Sequence, residues 1–518
     1  MDFYTGFIVM LYFLAIAFLG WLGYRRTKSS DDYLVGGRQM NSAVMALSYG
    51  ATFISASAIV GFGGVAATFG MGIQWLCFLN MFVGVVVAFI FFGRRTRRIG
   101  AQLHAGSFPQ FLGLYYKSRA IQVFTGAVVF LGMPLYAAVV LKGGAVFIEE
   151  IFQIDYHLAL LVFTLIIAAY VVAGGMKGVM YTDALQAVIM FVCMAFLAAW
   201  LYRTLGMGFT EANRALTEMA PLVPEALHEV GHRGWTAMPA FHSPQWYTLV
   251  TSFVLGVGIG CLAQPQLVVR FMTVESNRQL NRGVMIGCIF LAITVGVIYH
   301  AGALSNLYFY QTEGKLAAEM VQDMDKIIPL FISHAMPEWF SVIFMLCILS
   351  ASMSTLSAQF HTMGAAAGAD IYGALARKAR EGKSHSTLII RLAVLISILL
   401  SYVICYTLSE GIIARGTSLF MGVCASTFLP AYFCSLYCPR VDRRAALWSM
   451  TIGLLGSSFA MLFLHRKESE AIGLCRALFG QDCLLTVYPL DLVDPIVWSF
   501  PLSCIAIAVA ARCYRKAA

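Results

Sequence analysis

The chain has 518 residues, of which 60% are hydrophobic and only 12% are charged. Because soluble proteins average about a quarter charged residues, this composition excludes a soluble globular protein and indicates an integral membrane protein. The period-two alternation of a membrane β-barrel is absent, so we expect an all-α fold. The net charge of +9 follows from the distribution of basic residues in the loops, and no nucleic-acid partner is expected.

Apolar runs long enough to cross a bilayer recur along nearly the whole chain. A transmembrane helix needs about 20 such residues. The first run is long enough to span, and no small-residue cleavage site stands out, so we expect no cleavable signal peptide. We predict about thirteen spans, near residues 4–24, 42–69, 72–92, 121–148, 157–176, 184–203, 246–269, 283–307, 337–368, 388–408, 411–435, 445–464 and 492–511.

The basic residues predict the orientation of these spans. With the N-terminus outside, most of the 35 lysines and arginines fall in segments on the inner side, as in the run Arg94 to Arg98. This asymmetry is the positive-inside rule, and it predicts a multi-pass protein of a bacterial-type inner membrane with a cytoplasmic C-terminus. Two of the 13 cysteines, Cys475 and Cys483, share the last outside loop, where pairing and free thiols are both open.

Two spans, one in each half of the chain, are interrupted by glycine or proline. The second span is rich in small residues from Gly50 to Gly70, and the seventh carries Gly256, Gly258 and Gly260 before Pro265. Close helix packing would explain such glycines, but so would helix breaks whose freed carbonyls bind an ion. A pair of broken spans in corresponding positions predicts the midplane binding site of a secondary transporter.

Hydroxyl groups cluster in the ninth span, in the stretch from Cys347 to Ser357. Ser354, Thr355 and Ser357 lie close together on a helix, and their oxygens are hard ligands that suit a hard cation such as sodium. The alternative is that these hydroxyls bond back to their own helix. Two charged residues near span ends also allow two interpretations: Lys142 can snorkel or meet an anion, and Asp183 can cap a helix or bind an ion.

Four segments, in this order, resemble the sodium:solute symporter family. They are Asp31-Asp32-Tyr33 with Gly36-Gly37-Arg38, Gly174-Gly175 with Thr182-Asp183 and Gln186, Gln264-Pro265 with Arg270-Phe271, and Ala351-Ser352-Met353-Ser354-Thr355-Leu356-Ser357. The resemblance covers nearly the whole chain. It implies a LeuT-type core of two inverted five-helix repeats, about 42–203 and 246–435 in a single transporter domain, with extra helices at both ends.

The resemblance also implies ligands for the transported sodium ion. The family's sodium motif falls on the carbonyls of Ala51, Ile54 and Ala351 and on the hydroxyls of Ser354 and Thr355. A second sodium site of some members matches Asp183 and Ser357, but Ala358 stands where that site has another hydroxyl. The number of sodium ions therefore stays open.

The substrate is less constrained than the ion. Proline permeases carry an Asp and a Trp where this chain has Phe53 and Val257, whereas other phrases are similar to pantothenate and acetate permeases. We therefore predict a sodium-coupled symporter importing a small monocarboxylate. Its solute pocket is expected among Ser55, Ser57, Tyr136, Lys142, Val257 and Gln264.

Other functions fit the sequence less well. An amino-acid or sugar carrier stays open, as does the oligomeric state. A transporter-like sensor is disfavoured because the tail from Arg512 to Ala518 carries no kinase. A membrane enzyme is disfavoured because no constellation of catalytic residues lies within the spans.

Overall fold

The computed structural model describes residues 3–375 and 383–516, and these residues form helices and connectors without a β-sheet. The predicted all-α fold is confirmed. The principal helices, in chain order, are α1 (Phe3–Arg26), α2 (Ser42–Phe53), α3 (Ser57–Phe69), α4 (Met71–Gln102), α5 (Arg119–Phe152), α6 (Tyr156–Ala169), α7 (Gly175–Leu205), α8 (Pro244–Ala263), α9 (Pro265–Phe271), α10 (Asn277–Glu313), α11 (Ile327–Ala335), α12 (Glu338–Leu375), α13 (Lys383–Thr407), α14 (Ile413–Tyr437), α15 (Arg443–Leu464), α16 (Arg466–Ile472) and α17 (Pro495–Lys516). Short helices in the connectors include Ser30–Val35, Phe108–Tyr115, Phe209–Glu218, Glu225–Glu229 and Leu474–Phe479.

The spans correspond closely to the apolar runs of the sequence. Within the described residues, 11 helices are long and apolar enough to cross a membrane, and the bent pair α2–α3 makes up to 12. The remaining predicted span, the fifth, corresponds to α6, which is apolar but shorter than a full crossing. Polar connectors and apolar helices therefore alternate as predicted.

The second span is broken, as predicted. Helix α2 ends at Phe53, α3 begins at Ser57, and their axes are bent by 55°. Ile54 has an extended backbone (φ −92°, ψ 95°), so the ladder of helical hydrogen bonds is interrupted there. Glycines beyond the break allow close approach, since a Cβ on Gly64 would lie 2.2 Å from the carbonyl oxygen of Met324.

The seventh span is interrupted later than its glycines suggest. Gly258 and Gly260 keep helical backbone angles, and the chain turns extended only at Gln264 (ψ 117°), before Pro265 opens α9. The glycines serve packing instead: a Cβ on Gly260 would lie 2.6 Å from Met421 on α14. Proline cannot donate the hydrogen bond that would continue the helix, which explains the position of the break.

A third interruption separates α6 from α7. Gly175 has a positive φ of 57°, which a residue with a side chain rarely adopts, and the ring of Tyr33 packs against it. Two residues later, the ammonium of Lys177 pairs with Asp32 at 2.5 Å. The polar connector of residues 29–41 is thereby docked where α7 begins.

The loop between α15 and α17 is held by charges and not by a disulfide between Cys475 and Cys483. Cys475 and Cys483 both carry free thiols. The carboxylate of Glu468 on α16 pairs with His465 and, at 2.6 Å, with Arg415 near the start of α14. These ion pairs connect the loop to a span of the core.

The stability of this loop is expected to depend on pH. Burial disfavours the His465 imidazolium, but Glu468 outweighs burial and raises the pKa of His465 above its usual 6.5. The pairing of His465 with Glu468 therefore stabilises the folded protein below about pH 6.5. This stabilisation is lost as the pH rises through the raised pKa of His465. We expect the thermal unfolding temperature of the unchanged protein to fall as the pH rises through this pKa. The unfolding temperature of His465→Gln should fall less over the same pH range.

Acid is expected to weaken the same loop by a separate route. Burial would raise the pKa of Glu468, but His465 and Arg415 lower it to about 2 from its usual 4.5. The ionised Glu468 carboxylate therefore stabilises the folded protein above about pH 4.5, and this stabilisation is lost as the pH falls toward 2. An unfolding temperature of Glu468→Gln equal to that of the unchanged protein at neutral pH would contradict this assignment.

Candidate functional site

The break of the second span meets the hydroxyl cluster of α12. The Ser354 hydroxyl donates to the carbonyl of Ala51 at 2.9 Å and to the carbonyl of Ala351 at 3.1 Å. The Thr355 hydroxyl donates to the carbonyl of Thr52 at 3.0 Å. All these residues are fully or almost fully buried. The two helices, about 300 residues apart in the chain, are therefore joined by the side chains that the sequence singled out.

Ser354 bonds back to its own helix, as one interpretation of the hydroxyls expected, and also across to α2. The α2 carbonyls near the break are available to side chains because α2 ends at Phe53. The carbonyl oxygens of Ala51 and Ala351 are uncharged hard ligands, and each lies about 3 Å from the Ser354 hydroxyl oxygen. The Ser354 oxygen is a third ligand of the same kind. This donor set suits a sodium ion. In the described residues, no group of three or more His, Cys, Asp or Glu side chains could hold a metal ion.

A buried ion pair lies next to this junction. Asp183 on α7 accepts from Arg270 on α9 at 2.8 Å, and both side chains are at most 1% exposed. The Ser48 and Thr52 hydroxyls of α2 also donate to the same carboxylate oxygen, at 2.8 and 3.3 Å. The broken second span is therefore tied to the segment beyond the seventh by one charged network.

The sequence interpretation missed the role of Arg270. It appeared only as part of a motif, whereas it is buried, with Nη1 donating to the Gln266 carbonyl at 2.5 Å. Asp183 lies inside α7 and does not cap it. The candidate second-sodium residue Ser357 donates to Asp183 Oδ1 at 3.5 Å, while Oδ2 faces Arg270. The Arg270 guanidinium thus neutralises the Asp183 carboxylate, whose negative charge a second sodium ion would need.

A narrow cavity of about 10 Å³, with room for about one water molecule, lies beside the break. Among the predicted solute residues, Ser55, Tyr136 and Val257 line it. Ile54, a predicted sodium ligand, lines it too, so the cavity adjoins the ion junction. The remaining lining residues were not predicted: Phe53, Ala58, Phe62, Asn80, Tyr299, Thr417 and Met421.

Asn80 is the most informative of the residues that the sequence analysis missed. Its side chain is 3% exposed, and its amide oxygen has no hydrogen-bond partner among the described residues. A buried amide without a partner costs free energy, so it needs a partner from whatever fills the cavity. An isolated asparagine in an apolar run was the available signal in the sequence.

Three other candidates do not line this cavity. The Lys142 ammonium donates to the carbonyls of Ser409 at 2.6 Å and Leu408 at 3.3 Å, just beyond α13, where it satisfies the end of a helix. Gln264 donates to the Gly260 carbonyl at 3.3 Å. Ser57 is buried at the start of α3. The cavity is therefore lined by uncharged side chains.

Comparisons with known proteins identify the family. Residues 33–453 match the model of the sodium:solute symporter family, which is most of the chain. The chain belongs to the sodium:solute symporter family. Sodium is accordingly the coupling ion of the family to which this symporter belongs, and the resemblance noted in the sequence is confirmed.

Two curated relatives of this symporter carry different solutes. The osmoregulated proline transporter of Bacillus subtilis (strain 168) is 25% identical over 446 residues, covering 86% of each chain. The sodium/pantothenate symporter of Haemophilus influenzae is 27% identical over 434 residues, covering 83% of this chain and 84% of that relative. Such similar identities leave the solute of this symporter undecided.

A solved structure supports the fold. A sodium-coupled sialic acid symporter in a substrate-bound, outward-open state superposes with a TM-score of 0.76 at 15% identity, covering 98% of this chain and 96% of that one. The predicted LeuT-type fold with broken helices is confirmed.

Proposed function

We propose that this symporter imports a small organic solute, a monocarboxylate of the pantothenate or acetate kind, together with sodium by alternating access. The observation that carries this proposal is the junction of α2 and α12, with Ile54, the residue that ends α2, on the wall of the neighbouring cavity. We assign sodium to the carbonyls of Ala51, Ile54 and Ala351 and the hydroxyls of Ser354 and Thr355.

Coupling follows from the position of Ile54, which ends α2 just beyond the junction and lines the cavity. Sodium bound at the junction would hold the break of the second span against α12, and the cavity wall at Ile54 would be ordered with it. A solute then binds a wall that is already ordered, so each ligand raises the affinity for the other. Without sodium the wall loses this constraint, and the solute binds more weakly.

The uncharged lining restricts how a carboxylate could be held. At about 10 Å³ the cavity is too small for a solute in this conformation, so binding requires the broken span and its neighbours to move apart. Asn80, Ser55 and Tyr136 offer hydrogen bonds, whereas no charged side chain lines the cavity. We propose that the neighbouring sodium supplies the positive charge for the carboxylate and that the Asn80 amide pairs with a polar group of the solute.

An amino acid is the second candidate, since relatives of similar identity are proline transporters. A thermal-unfolding screen of small carboxylates, amino acids and sugars, run in sodium and in potassium buffer, distinguishes these classes. We expect stabilisation by a small carboxylate in sodium buffer only. Stabilisation by proline or a sugar instead would contradict the proposed solute.

The proposed orientation places the N-terminus outside and the C-terminus in the cytoplasm. It rests on the basic residues that cluster at one end of the spans, as at Arg94 to Arg98. A reporter enzyme active only outside the cytoplasm, fused after Tyr514, is expected to be inactive. Activity of that fusion would reverse the topology.

Replacing Asn80 by leucine is expected to weaken solute binding. The change keeps the side-chain size but removes the polar pair, which costs about 1–3 kcal/mol, or roughly 5- to 150-fold in affinity. Solute titrations at saturating sodium measure this effect. Asn213→Leu, in the loop between α7 and α8, is the matched control. Equal affinities of the two variants would remove Asn80 from the site.

A further inference from the structure

A second and larger cavity of about 320 Å³ forms a groove between three spans. It is lined by side chains without charge: Phe92 of α4, Leu429, Pro430, Phe433 and Cys434 of α14, and Phe500, Cys504 and Ile507 of α17. Phe433 is 44% exposed, so the groove opens toward the surroundings of the spans. A soluble ligand would find no hydrogen bond on these walls.

Two prolines explain why the helices leave this space. Pro430 lies inside α14, and Pro501 lies inside α17 next to the groove residue Phe500. A proline within a helix removes one backbone hydrogen bond and bends or widens the helix locally. Neighbouring spans therefore do not close against each other at this depth.

One end of the groove carries positive charge. The Arg95 guanidinium donates through Nη1 to the carbonyl of Leu436 at 2.6 Å and lies 3.9 Å from the centre of the Tyr437 ring. The ring of Tyr437 stacks in turn on Phe433 of the groove wall, with centroids 5.0 Å apart. Arg95 is thus fixed at the end of the apolar groove, with further N–H donors beyond Nη1.

Arg98 adds a second cation on the same side of this helix. It follows Arg95 by three residues, is exposed, and forms no ion pair among the described residues. Tyrosine and arginine at the end of an apolar surface are typical of the membrane–water interface. The apolar groove, the aromatic ring and the two cations therefore follow one another along α4 and α14.

We propose that this groove binds an anionic diacyl phospholipid, with an acyl chain between α14 and α17 and the headgroup phosphate at Arg95 and Arg98. Basic pockets between spans on the cytoplasmic side recognise anionic headgroups, and guanidinium groups match phosphate oxygens in pairs. A second copy of the chain fits less well, because it would bring the same arginines to the same membrane face, where like charges repel.

The bound lipid would touch both the core and the helices outside it. Helix α14 belongs to the second predicted repeat and contacts the broken seventh span, whereas α17 lies beyond the repeats. A lipid wedged between them stabilises one relative position of these two helices. The site is independent of the proposed solute, since no groove residue lines the solute cavity.

Native mass spectrometry of the delipidated full chain tests this proposal. Palmitoyl-oleoyl phosphatidylglycerol is compared with phosphatidylcholine of the same acyl chains, and glycerol phosphate serves as the headgroup alone. Each arginine near an anionic headgroup is worth about fivefold in affinity. We expect phosphatidylglycerol to bind at least fivefold more tightly than phosphatidylcholine, and glycerol phosphate not to displace it.

Two kinds of variant test the headgroup end of the site and the acyl-chain groove separately. Arg95→Gln with Arg98→Gln is expected to abolish the preference for phosphatidylglycerol, and Cys504→Phe, which fills the groove, to weaken both lipids. Arg98→Gln alone, at an exposed position, is expected to reduce the preference about fivefold without affecting folding. Arg214→Gln with Arg233→Gln removes the same charge from a loop at the opposite end and should leave the preference unchanged.

Four results would overturn the proposal. The first two are equal binding of the two lipids and a lipid preference that the arginine variants do not change. The third is displacement of phosphatidylglycerol by glycerol phosphate. The fourth is a dimer of the chain in place of bound lipid, provided that Cys504→Phe abolishes this dimer. None of them bears on sodium-coupled transport, so failure here leaves the proposed function intact.

Discussion

Arg270→Gln is expected to destabilise the protein by about 3–5 kcal/mol, because it leaves the Asp183 carboxylate buried without a counter-charge. Both side chains are at most 1% exposed, so water cannot replace the lost partner. The free energy of unfolding in nanodiscs, from denaturant titration, measures the loss. The second change Asp183→Asn in the same chain removes the unpaired charge and should recover most of it.

An exposed ion pair provides the control. Arg476 and Asp482 pair at 3.0 Å but are 74% and 43% exposed, so Arg476→Gln should cost less than about 1 kcal/mol. A loss for Arg270→Gln no larger than this control would show that the buried pair does not hold α7 and α9 together. The absence of recovery in the double variant would show that the loss has another cause.

The double variant Ser354→Ala with Thr355→Ala is expected to weaken the sodium dependence of transport severely. It removes both proposed hydroxyl ligands, and a loss of about 2 kcal/mol would raise the sodium concentration for half-maximal transport about thirtyfold. Uptake measured against sodium concentration in proteoliposomes reports the change. The solute affinity at saturating sodium should change far less.

Ser352→Ala is the matched control for this variant. It lies on the same helix, but its hydroxyl lies near Gly144 of α5 and forms no hydrogen bond among the described residues. We expect its sodium dependence to equal that of the unchanged protein. If the double variant behaves like Ser352→Ala, the proposed sodium site is wrong.

Much of the architecture could be predicted from the sequence because bilayer physics leaves few choices. Spans must be apolar and about 20 residues long, and a break in a span must have partners for its freed backbone groups. A break in the second span and the hydroxyls of Ser354 and Thr355 followed from this requirement and from the family motif, whereas the position of the break at Ile54 did not. The structure places the two hydroxyls in contact with the carbonyls of Ala51 and Thr52, just before the break.

The parts that were not predicted depend on distances between remote residues. Arg270 carries the same charge whether it lies in an inner loop or is buried against Asp183, and only the fold distinguishes the two. Lys142 could reach a pocket or a helix end, and the structure shows the helix end. Asn80 becomes informative only because the cavity lies beside it. Periodicity cannot report such pairings.

Glycine spacing was an ambiguous signal for a related reason. Gly256, Gly258 and Gly260 weaken a helix, but the facing side chains of α14 and α4 decide whether they break it or pack. In the seventh span they pack, and Pro265 interrupts the helix. In the second span the break comes at Ile54, ahead of Gly61 and Gly63, which pack against Ile413 and Ile328.

Sodium-driven accumulation tests the central proposal most directly. Proteoliposomes containing the full chain are supplied with the solute identified by the unfolding screen, with an inward sodium gradient or with equal sodium on both sides. We predict transient accumulation above the outside concentration only under the gradient, and its loss in Ser354→Ala with Thr355→Ala. Accumulation that is equal with and without the gradient would contradict sodium-coupled symport.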